Sequence, residues 1–180
     1  MKKPFRNITL AGVKHCGKST LGRLLAAICG ASFTDSDDEL CLRYGKPVRE
    51  IFRELGEENF RRAEAEVLED LAARDGFNVF SLGGGAVSNA FVGTEIWEQL
   101  GCKIMIDIPD AAAQERVFAS GVPAYLEKYS DPRRALEQIN RERIALLKAK
   151  CDAVYHADPA LQPEEQAEKL HSFIIQEFSI

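Results

Sequence analysis

The chain has 180 residues, of which 46% are hydrophobic and 28% charged, a composition typical of one soluble globular α/β domain. Its formal charge of −5 argues against a general nucleic-acid-binding protein, because such proteins usually carry a net basic surface. Its five cysteines are scattered without a Cys-x-x-Cys pair, which argues against a disulfide framework or a zinc site and favours a reducing cytoplasm.

The first apolar run, residues 8–13, is too short for the core of a signal peptide or for a membrane span, so we expect no export and no membrane partner. This run is β-prone up to a glycine turn, and the apolar residues after Lys18 have helical spacing. The chain is therefore expected to begin with a strand, a loop and a helix. A second strand at residues 31–34 leads into an acidic cluster, in which Ser36 or Asp37 is the expected N-cap of the next helix.

The remaining chain continues to alternate between strand and helix patterns. Helices are predicted over residues 57–74, 110–119 and 131–150 and from Pro163 onward, and strands over residues 77–82, 102–108 and 153–156. This alternation predicts a three-layer α/β/α fold with a five-stranded parallel sheet, in one domain of residues 1–180. Residues of about 119–130 form a loop of the length of a lid. Ligands are expected at the carboxyl ends of the strands.

A phosphate-binding motif lies between the first strand and the first helix. Residues 12–19, GVKHCGKS, match the pattern G-x-x-x-x-G-K-[ST] in the structural context that the motif requires. Gly12 and Gly17 let backbone N–H groups surround phosphate oxygens, Lys18 reaches the outer phosphates, and the Ser19 hydroxyl binds magnesium. The segment from Gly12 to Thr20 therefore predicts a site for a nucleoside triphosphate with Mg²⁺.

Three residues inside this loop receive no chemical role. The loop binds through its backbone, so the side chains of Lys14, His15 and Cys16 are expected to point outward. A thiol near a helix N-terminus can be sensitive to oxidation, but a small residue without chemistry is the simpler interpretation of Cys16.

Two aspartates follow the second strand. Asp35 and Asp37 are separated by one residue, so in extended backbone they point to the same side. One carboxylate can hold magnesium through water, and the other can accept a proton from an attacking hydroxyl. The alternative is a helix cap with solvated acidic neighbours.

Two arginines and three glycines are further candidates for a substrate site. Arg61 and Arg143 each lie by an apolar helical stripe, and an inward-facing arginine requires an anionic partner, either a substrate carboxylate or phosphate or a structural ion pair. The consecutive glycines Gly83, Gly84 and Gly85 indicate a close approach of the backbone to substrate or phosphate.

Taken together, these motifs resemble the shikimate kinase family, which has a nucleoside monophosphate kinase-like P-loop fold with a lid. The resemblance covers essentially the whole chain and rests on residues 12–20, 33–37 (FTDSD), 58–64 (ENFRRAE), 81–87 (SLGGGAV) and Arg143. It implies that ATP phosphorylates the 3-hydroxyl of shikimate, a small-molecule substrate, in aromatic amino-acid (chorismate) biosynthesis. It also implies an enzyme that uses ATP and Mg²⁺, and we expect this enzyme to be a cytoplasmic monomer.

The resemblance implies specific roles. Asp37 would hold the shikimate hydroxyls and assist deprotonation, with Lys18 as the second catalytic residue, and Asp35 would belong to the magnesium shell. Arg61 and Arg143 would clamp the shikimate carboxylate. The pocket would be lined by Gly83, Gly84 and Gly85, and the adenine would be flanked by Arg116 and the loop near Pro163.

The lid departs from the family pattern. Val122 stands where the family carries an arginine that reaches into the phosphate site. The positive charge could come instead from Lys14, Lys128, Arg133 or Arg134. Two alternatives to a shikimate kinase therefore stay open. One is a P-loop kinase of another small hydroxy acid such as gluconate, and the other is a shikimate kinase-like nucleotide-binding protein with weakened catalysis.

Overall fold

The computed structural model describes residues 6–178 of the chain. Within this range five parallel strands form one sheet in the order β2-β3-β1-β4-β5. The strands are β1 (Asn7–Ala11), β2 (Ser32–Asp35), β3 (Asn78–Ser81), β4 (Cys102–Asp107) and β5 (Ala153–His156). The central strands β1 and β3 are buried at every residue, because helices cover both faces of the sheet. The prediction of a five-stranded parallel sheet is confirmed.

The helices form the two outer layers. They are α1 (Lys18–Cys29), α2 (Ser36–Tyr44), α3 (Val48–Ala73), α4 (Thr94–Gln99), α5 (Asp110–Ala119), α6 (Pro132–Lys150) and α7 (Pro163–Phe178). On one face α1 and α7 pack against the sheet through residues such as Leu25 and Ile174, and on the other face α3 and α6 contribute Leu71 and Leu147. The three-layer prediction is thus confirmed. Among the helices of residues 6–178, none combines the length and apolar character that a membrane crossing requires.

The N-cap of α2 differs from the prediction. Asp35 is the cap: it is still extended, with φ −101° and ψ 130°, and its carboxylate accepts a hydrogen bond from the backbone N–H of Asp37. Ser36 and Asp37 are already helical, so assigning the cap to either residue was wrong. The difference matters because one carboxylate both ends β2 and starts α2, which fixes its position at the edge of the sheet.

Helix α3 is longer than predicted and is broken. It begins at Val48, and Gly56 interrupts it with φ 74° and ψ 169°, so the predicted helix over residues 57–74 corresponds only to its second part. The first part was missed because a glycine inside an amphipathic pattern can mark the end of a helix as well as a bend within it. The break lets residues 48–55 turn toward the lid while the second part packs on the sheet.

The lid connects α5 to α6 and has a small apolar cluster of its own. Leu126 packs there with Val117 of α5 and Leu136 of α6, and Val122 lies against the same cluster. Glu127 bridges from the lid to Arg49 and Arg53 in the first part of α3, with N–O distances of 2.6 and 2.7 Å. A further ion pair between lid and α3 joins Lys128 and Glu57 at 2.8 Å. The lid therefore rests on the first part of α3.

Candidate active site

The loop after β1 folds tightly over the carboxyl end of the sheet. A Cβ on Gly12 would lie 2.7 Å from the Cys16 sulfur and 2.8 Å from the carbonyl oxygen of Ile106, so only glycine fits there. Gly17 has φ 97°, in the left-handed region, and starts α1 without a side-chain cap. The N–H groups of the first turn of α1 therefore remain available for an anion.

Lys18 bends back over this loop. The residue is 6% exposed, and its ammonium group donates a 2.8 Å hydrogen bond to the carbonyl oxygen of Val13. The Cys16 sulfur lies 3.5 Å from the same nitrogen and is buried. Thr20 follows in the first turn of α1 and is exposed. The loop and the helix N-terminus thus form a positively charged cradle, as phosphate binding requires.

The expectation that the side chains of the loop point outward is wrong for two of three residues. Cys16 is buried, because its side chain is small enough to fit beneath the tightly folded loop. Lys14 is half-buried and lines the main cavity of the protein. Only His15 is exposed, with φ 61°, and its Nε2 lies 3.1 Å from the Ser120 hydroxyl at the start of the lid.

Oxygen atoms converge beside the cradle, where β1, β2 and β3 end. The Ser19 hydroxyl donates a 2.6 Å hydrogen bond to Asp35, and the Ser81 hydroxyl lies 3.5 Å from Ser19. Sequence reasoning missed Ser81, although it pairs with Asp35 in the register of the sheet. Within the described part of the chain, no three His, Cys, Asp or Glu side chains form a metal cluster. A carboxylate with hydroxyls suits Mg²⁺, which binds few protein ligands and takes the rest from phosphates and water.

Asp37 lies between this cradle and a cavity of about 320 Å³. Burial, together with the neighbouring charges of Asp35 and Glu64, raises the pKa of its carboxyl from 3.8 to about 6, although Lys14 and Lys18 act in the opposite direction. A carboxyl group with such a pKa still ionises at neutral pH and is a stronger base than an ordinary aspartate.

Arg61 and Glu64 form the buried floor of the cavity. The Arg61 guanidinium donates to the Glu64 carboxylate one helical turn later, and the Asn89 side-chain amide donates to the Arg61 carbonyl oxygen at 2.7 Å. Burial raises the pKa of Glu64, and the charge of Arg61 counteracts this effect. Arg61 therefore has a structural ion pair and also faces the cavity. Glu64 and Asn89 were not predicted, although the spacing of Arg61 and Glu64 on a helix is a usable signal.

Arg143 reaches the same cavity from α6. Its side chain lies with Cζ 5.4 Å from the centre of the Tyr125 ring in the lid, and the residue is 6% exposed. Its buried Nε has no hydrogen-bond partner in residues 6–178, and burial lowers the pKa of the guanidinium. A buried guanidinium N–H without a partner favours binding of an anion. Tyr125 was not predicted because only the fold places the lid above α6.

The three glycines form one wall of the site, and each leaves space for a different group. A Cβ would lie 2.7 Å from an Asp37 oxygen at Gly83, 3.0 Å from the Lys14 nitrogen at Gly84, and 2.3 Å from an Arg61 nitrogen at Gly85. The predicted close approach of the backbone is therefore present, and the groups approached belong to the protein itself. Gly84 and Gly85 line the cavity directly.

Arg116 does not line this cavity. It is exposed on α5 and donates a hydrogen bond to the carbonyl oxygen of His15 in the phosphate loop at 3.4 Å. Pro163 is the first residue of α7.

Comparisons with known proteins agree with this geometry. The sequence model of the family described as shikimate kinase matches residues 14–175. A shikimate kinase from Histophilus somni is 33% identical over 165 residues, which cover 92% of this chain and 90% of that protein. The chain belongs to the shikimate kinase family. The prediction of an ATP-dependent kinase of this family is confirmed.

Solved structures of shikimate kinases have the same fold. The enzyme from Acinetobacter baumannii in complex with shikimate superposes with a TM-score of 0.84 at 28% identity, over 94% of this chain and 93% of that one. The enzyme from Aquifex aeolicus gives a TM-score of 0.77 at 30% identity, over 97% and 98%. A gluconokinase from Sinorhizobium meliloti, with a TM-score of 0.54 and 18% identity, is similar in fold alone. The P-loop kinase fold is thus confirmed.

Proposed function

We propose that the chain transfers the γ-phosphoryl group of ATP to the 3-hydroxyl of shikimate. The observation that carries this proposal is the position of Asp37, between the phosphate cradle and a cavity that contains Arg61 and Arg143. The phosphate-binding loop, the carboxylate base and the two arginines that bind an anion are adjacent in that order. Transfer of a phosphoryl group to a hydroxy acid requires this arrangement. Membership of the shikimate kinase family supports shikimate as the acceptor.

On the donor side the protein orients the triphosphate. Backbone N–H groups of residues 12–19 and the Lys18 ammonium bind its phosphates, and Arg116 flanks the adenine beyond His15. Ser19 and Asp35 would hold Mg²⁺, which supplies positive charge to the phosphates when bound. Ser81 supports the Ser19 hydroxyl from the neighbouring strand.

On the acceptor side the cavity binds and deprotonates the substrate. Its volume of about 320 Å³ suits a small molecule. Arg61 and Arg143 bind the carboxylate, and the Gly84 and Gly85 wall gives the ring a close backbone surface. Asp37 accepts the proton of the attacking hydroxyl. The new O–P bond forms as the bond between the β- and γ-phosphates breaks, and ADP leaves with the electron pair.

The proposal includes three further features. Mg²⁺ is the metal, because the available ligands are hard oxygen atoms. The enzyme acts in the cytoplasm, in agreement with five free cysteines among the described residues. It acts as a monomer of one domain, which light scattering on the purified chain would test.

The lid favours a second candidate. Val122 packs on an apolar cluster, and no charged side chain of lid residues 120–125 lines the cavity. This observation favours a family member with slow phosphoryl transfer, which would bind ATP and be stabilised by it against heat but would turn over shikimate poorly.

An assay of ADP release with shikimate, quinate and gluconate tests both candidates. We expect turnover with shikimate, and Asp37→Asn is expected to abolish it while ATP affinity stays nearly unchanged. Preferred turnover of gluconate would contradict the choice of acceptor, and normal turnover by Asp37→Asn would remove the catalytic role of Asp37. ATP binding without transfer to any of the three acids would favour the second candidate.

A further inference from the structure

The phosphoryl group in transit carries negative charge on its oxygen atoms, and positive charge beside it stabilises the transition state. Three of the positively charged side chains that line the main cavity already contact other groups of the protein. Arg49 pairs with Glu127, Arg61 pairs with Glu64, and Arg143 lies over the ring of Tyr125. Arg49 is held by a residue of the lid, and the proposed function assigns Arg61 and the unpartnered Nε of Arg143 to the carboxylate of the acceptor.

The positively charged residues outside the P-loop that were proposed from sequence also contact other groups, or do not line the cavity. Lys128 pairs with Glu57, and the Arg133 guanidinium lies 4.6 Å from the centre of the Phe118 ring. Arg134 is exposed in the first turn of α6 and does not line the cavity. None of these three side chains lines the cavity that contains Asp37.

Lys14 is different. Its ammonium forms no hydrogen bond or ion pair with residues 6–178, yet the side chain is half-buried and lines the cavity together with Asp37. Its positive charge lowers the pKa of Asp37, so its field reaches the carboxylate. Its backbone nitrogen is fixed against Gly84, where a Cβ would come within 3.0 Å. The wall of glycines therefore holds this part of the loop in place.

We propose that Lys14 is a catalytic residue that binds the transferring phosphoryl group on its acceptor side, while Lys18 binds it on the donor side. The inference rests on the proposed function, because Lys14 belongs to the P-loop and lines the same cavity as Asp37, to which the γ-phosphoryl group would be transferred. The charge that stabilises the transition state then belongs to the loop after β1 and not to the lid.

The first test compares Lys14→Met with Lys14→Arg. Removing one preorganised electrostatic contact is expected to lower kcat about 100-fold in Lys14→Met, with KM values for ATP and shikimate changed less than about threefold. Lys14→Arg keeps the charge and should recover most of the loss. Lys169→Met, on the exposed face of α7, is the matched control for loss of a lysine and should behave like the wild type. A raised KM for shikimate with unchanged kcat would overturn the proposal.

The second test does not require turnover. Titration calorimetry would measure Mg²⁺-ADP binding with and without aluminium fluoride, an analogue of the phosphoryl group in transit. We expect aluminium fluoride to tighten ADP binding in the wild type and in Lys14→Arg, and to have little effect in Lys14→Met, whose affinity for ADP alone is unchanged. Equal tightening in Lys14→Met, or none in the wild type, would overturn the role of Lys14. A wild type that is tightened by aluminium fluoride but does not phosphorylate shikimate would instead contradict the choice of acceptor.

Discussion

The carboxylate of Glu64 holds the guanidinium of Arg61 at the buried floor of the cavity, one turn apart on α3. The Glu64→Gln substitution keeps the shape of the side chain but removes the negative charge that orients the Arg61 guanidinium. We expect KM for shikimate to rise about tenfold with a small change in kcat, because a charge-assisted hydrogen bond contributes about 1.5–3 kcal/mol. Steady-state kinetics would measure the change.

The chain offers a matched control on the same helix. Glu58 pairs with Arg62 at 2.9 Å, but both side chains are exposed. Glu58→Gln should leave the kinetics unchanged, because exposed pairs contribute little. Equal effects of the two substitutions would show that Glu64 acts through the helix and not through Arg61.

The pH profile should report the ionisation of Asp37. Because the pKa of this carboxyl is raised to about 6, the base is protonated and inactive below that pH, and kcat/KM for shikimate should fall as pH decreases through about 6. Glu64 contributes to the raised pKa, so Glu64→Gln should shift the acid limb to lower pH. An acid limb near pH 4 in the wild type would contradict the assignment of Asp37 as the base.

The raised pKa also predicts a cost in stability. The folded protein binds the proton of Asp37 more tightly than the unfolded chain, so this group favours folding below pH 3.8 and loses that contribution as pH rises through about 6. At pH 7.5 the Asp37→Asn variant should therefore be more stable than the wild type, by on the order of 1–3 kcal/mol. Urea unfolding at pH 7.5 and at pH 4 would test this, and an equal gain at both values would exclude ionisation as its cause.

Gly85→Ala tests the wall of the cavity. The new Cβ would lie 2.3 Å from the Arg61 guanidinium, which is the movable end of a long side chain, so it should displace Arg61 while leaving the fold intact. We expect KM for shikimate to rise about tenfold and Tm to stay within a few degrees. Gly93→Ala is the control, because its Cβ would meet no atom within 4 Å. Wild-type KM in Gly85→Ala would contradict the role of Arg61 in binding the acceptor.

The Asp35→Asn substitution distinguishes the proposed metal-binding role of Asp35 from its role as the N-cap of α2. Asparagine can still accept the hydrogen bond from the backbone of Asp37, but it lacks the charge that would hold Mg²⁺. The Mg²⁺ concentration for half-maximal activity should rise at least about tenfold, while the helix content measured by circular dichroism is unchanged. An unaltered Mg²⁺ requirement would remove Asp35 from the metal shell.

The sheet and the phosphate loop could be predicted from sequence because both are local. Most of the strands contain short apolar runs, and the residue spacing from Gly12 to Ser19 is the pattern that defines a phosphate-binding loop. The meeting of Asp37, Arg61 and Arg143 in one cavity could be anticipated only through the resemblance to a known family, since these residues come from three separate segments.

The missed features depend on contacts between distant segments. Lys14 lies in the cavity because Gly84 meets its backbone, and Tyr125 lies over Arg143 because the lid folds back over α6. No periodicity in either segment encodes such contacts. The break at Gly56 was missed for a different reason, because a glycine inside an amphipathic pattern can mark either a helix end or a bend.

The three consecutive glycines have an evolutionary consequence. Any side chain at Gly83, Gly84 or Gly85 would collide with the base, the phosphate loop or the carboxylate clamp, so this wall cannot be altered by single substitutions without disturbing the reaction. A descendant of this protein that acquires a new acceptor would therefore change other residues that line the cavity, such as the apolar Val48, Phe52 and Val122.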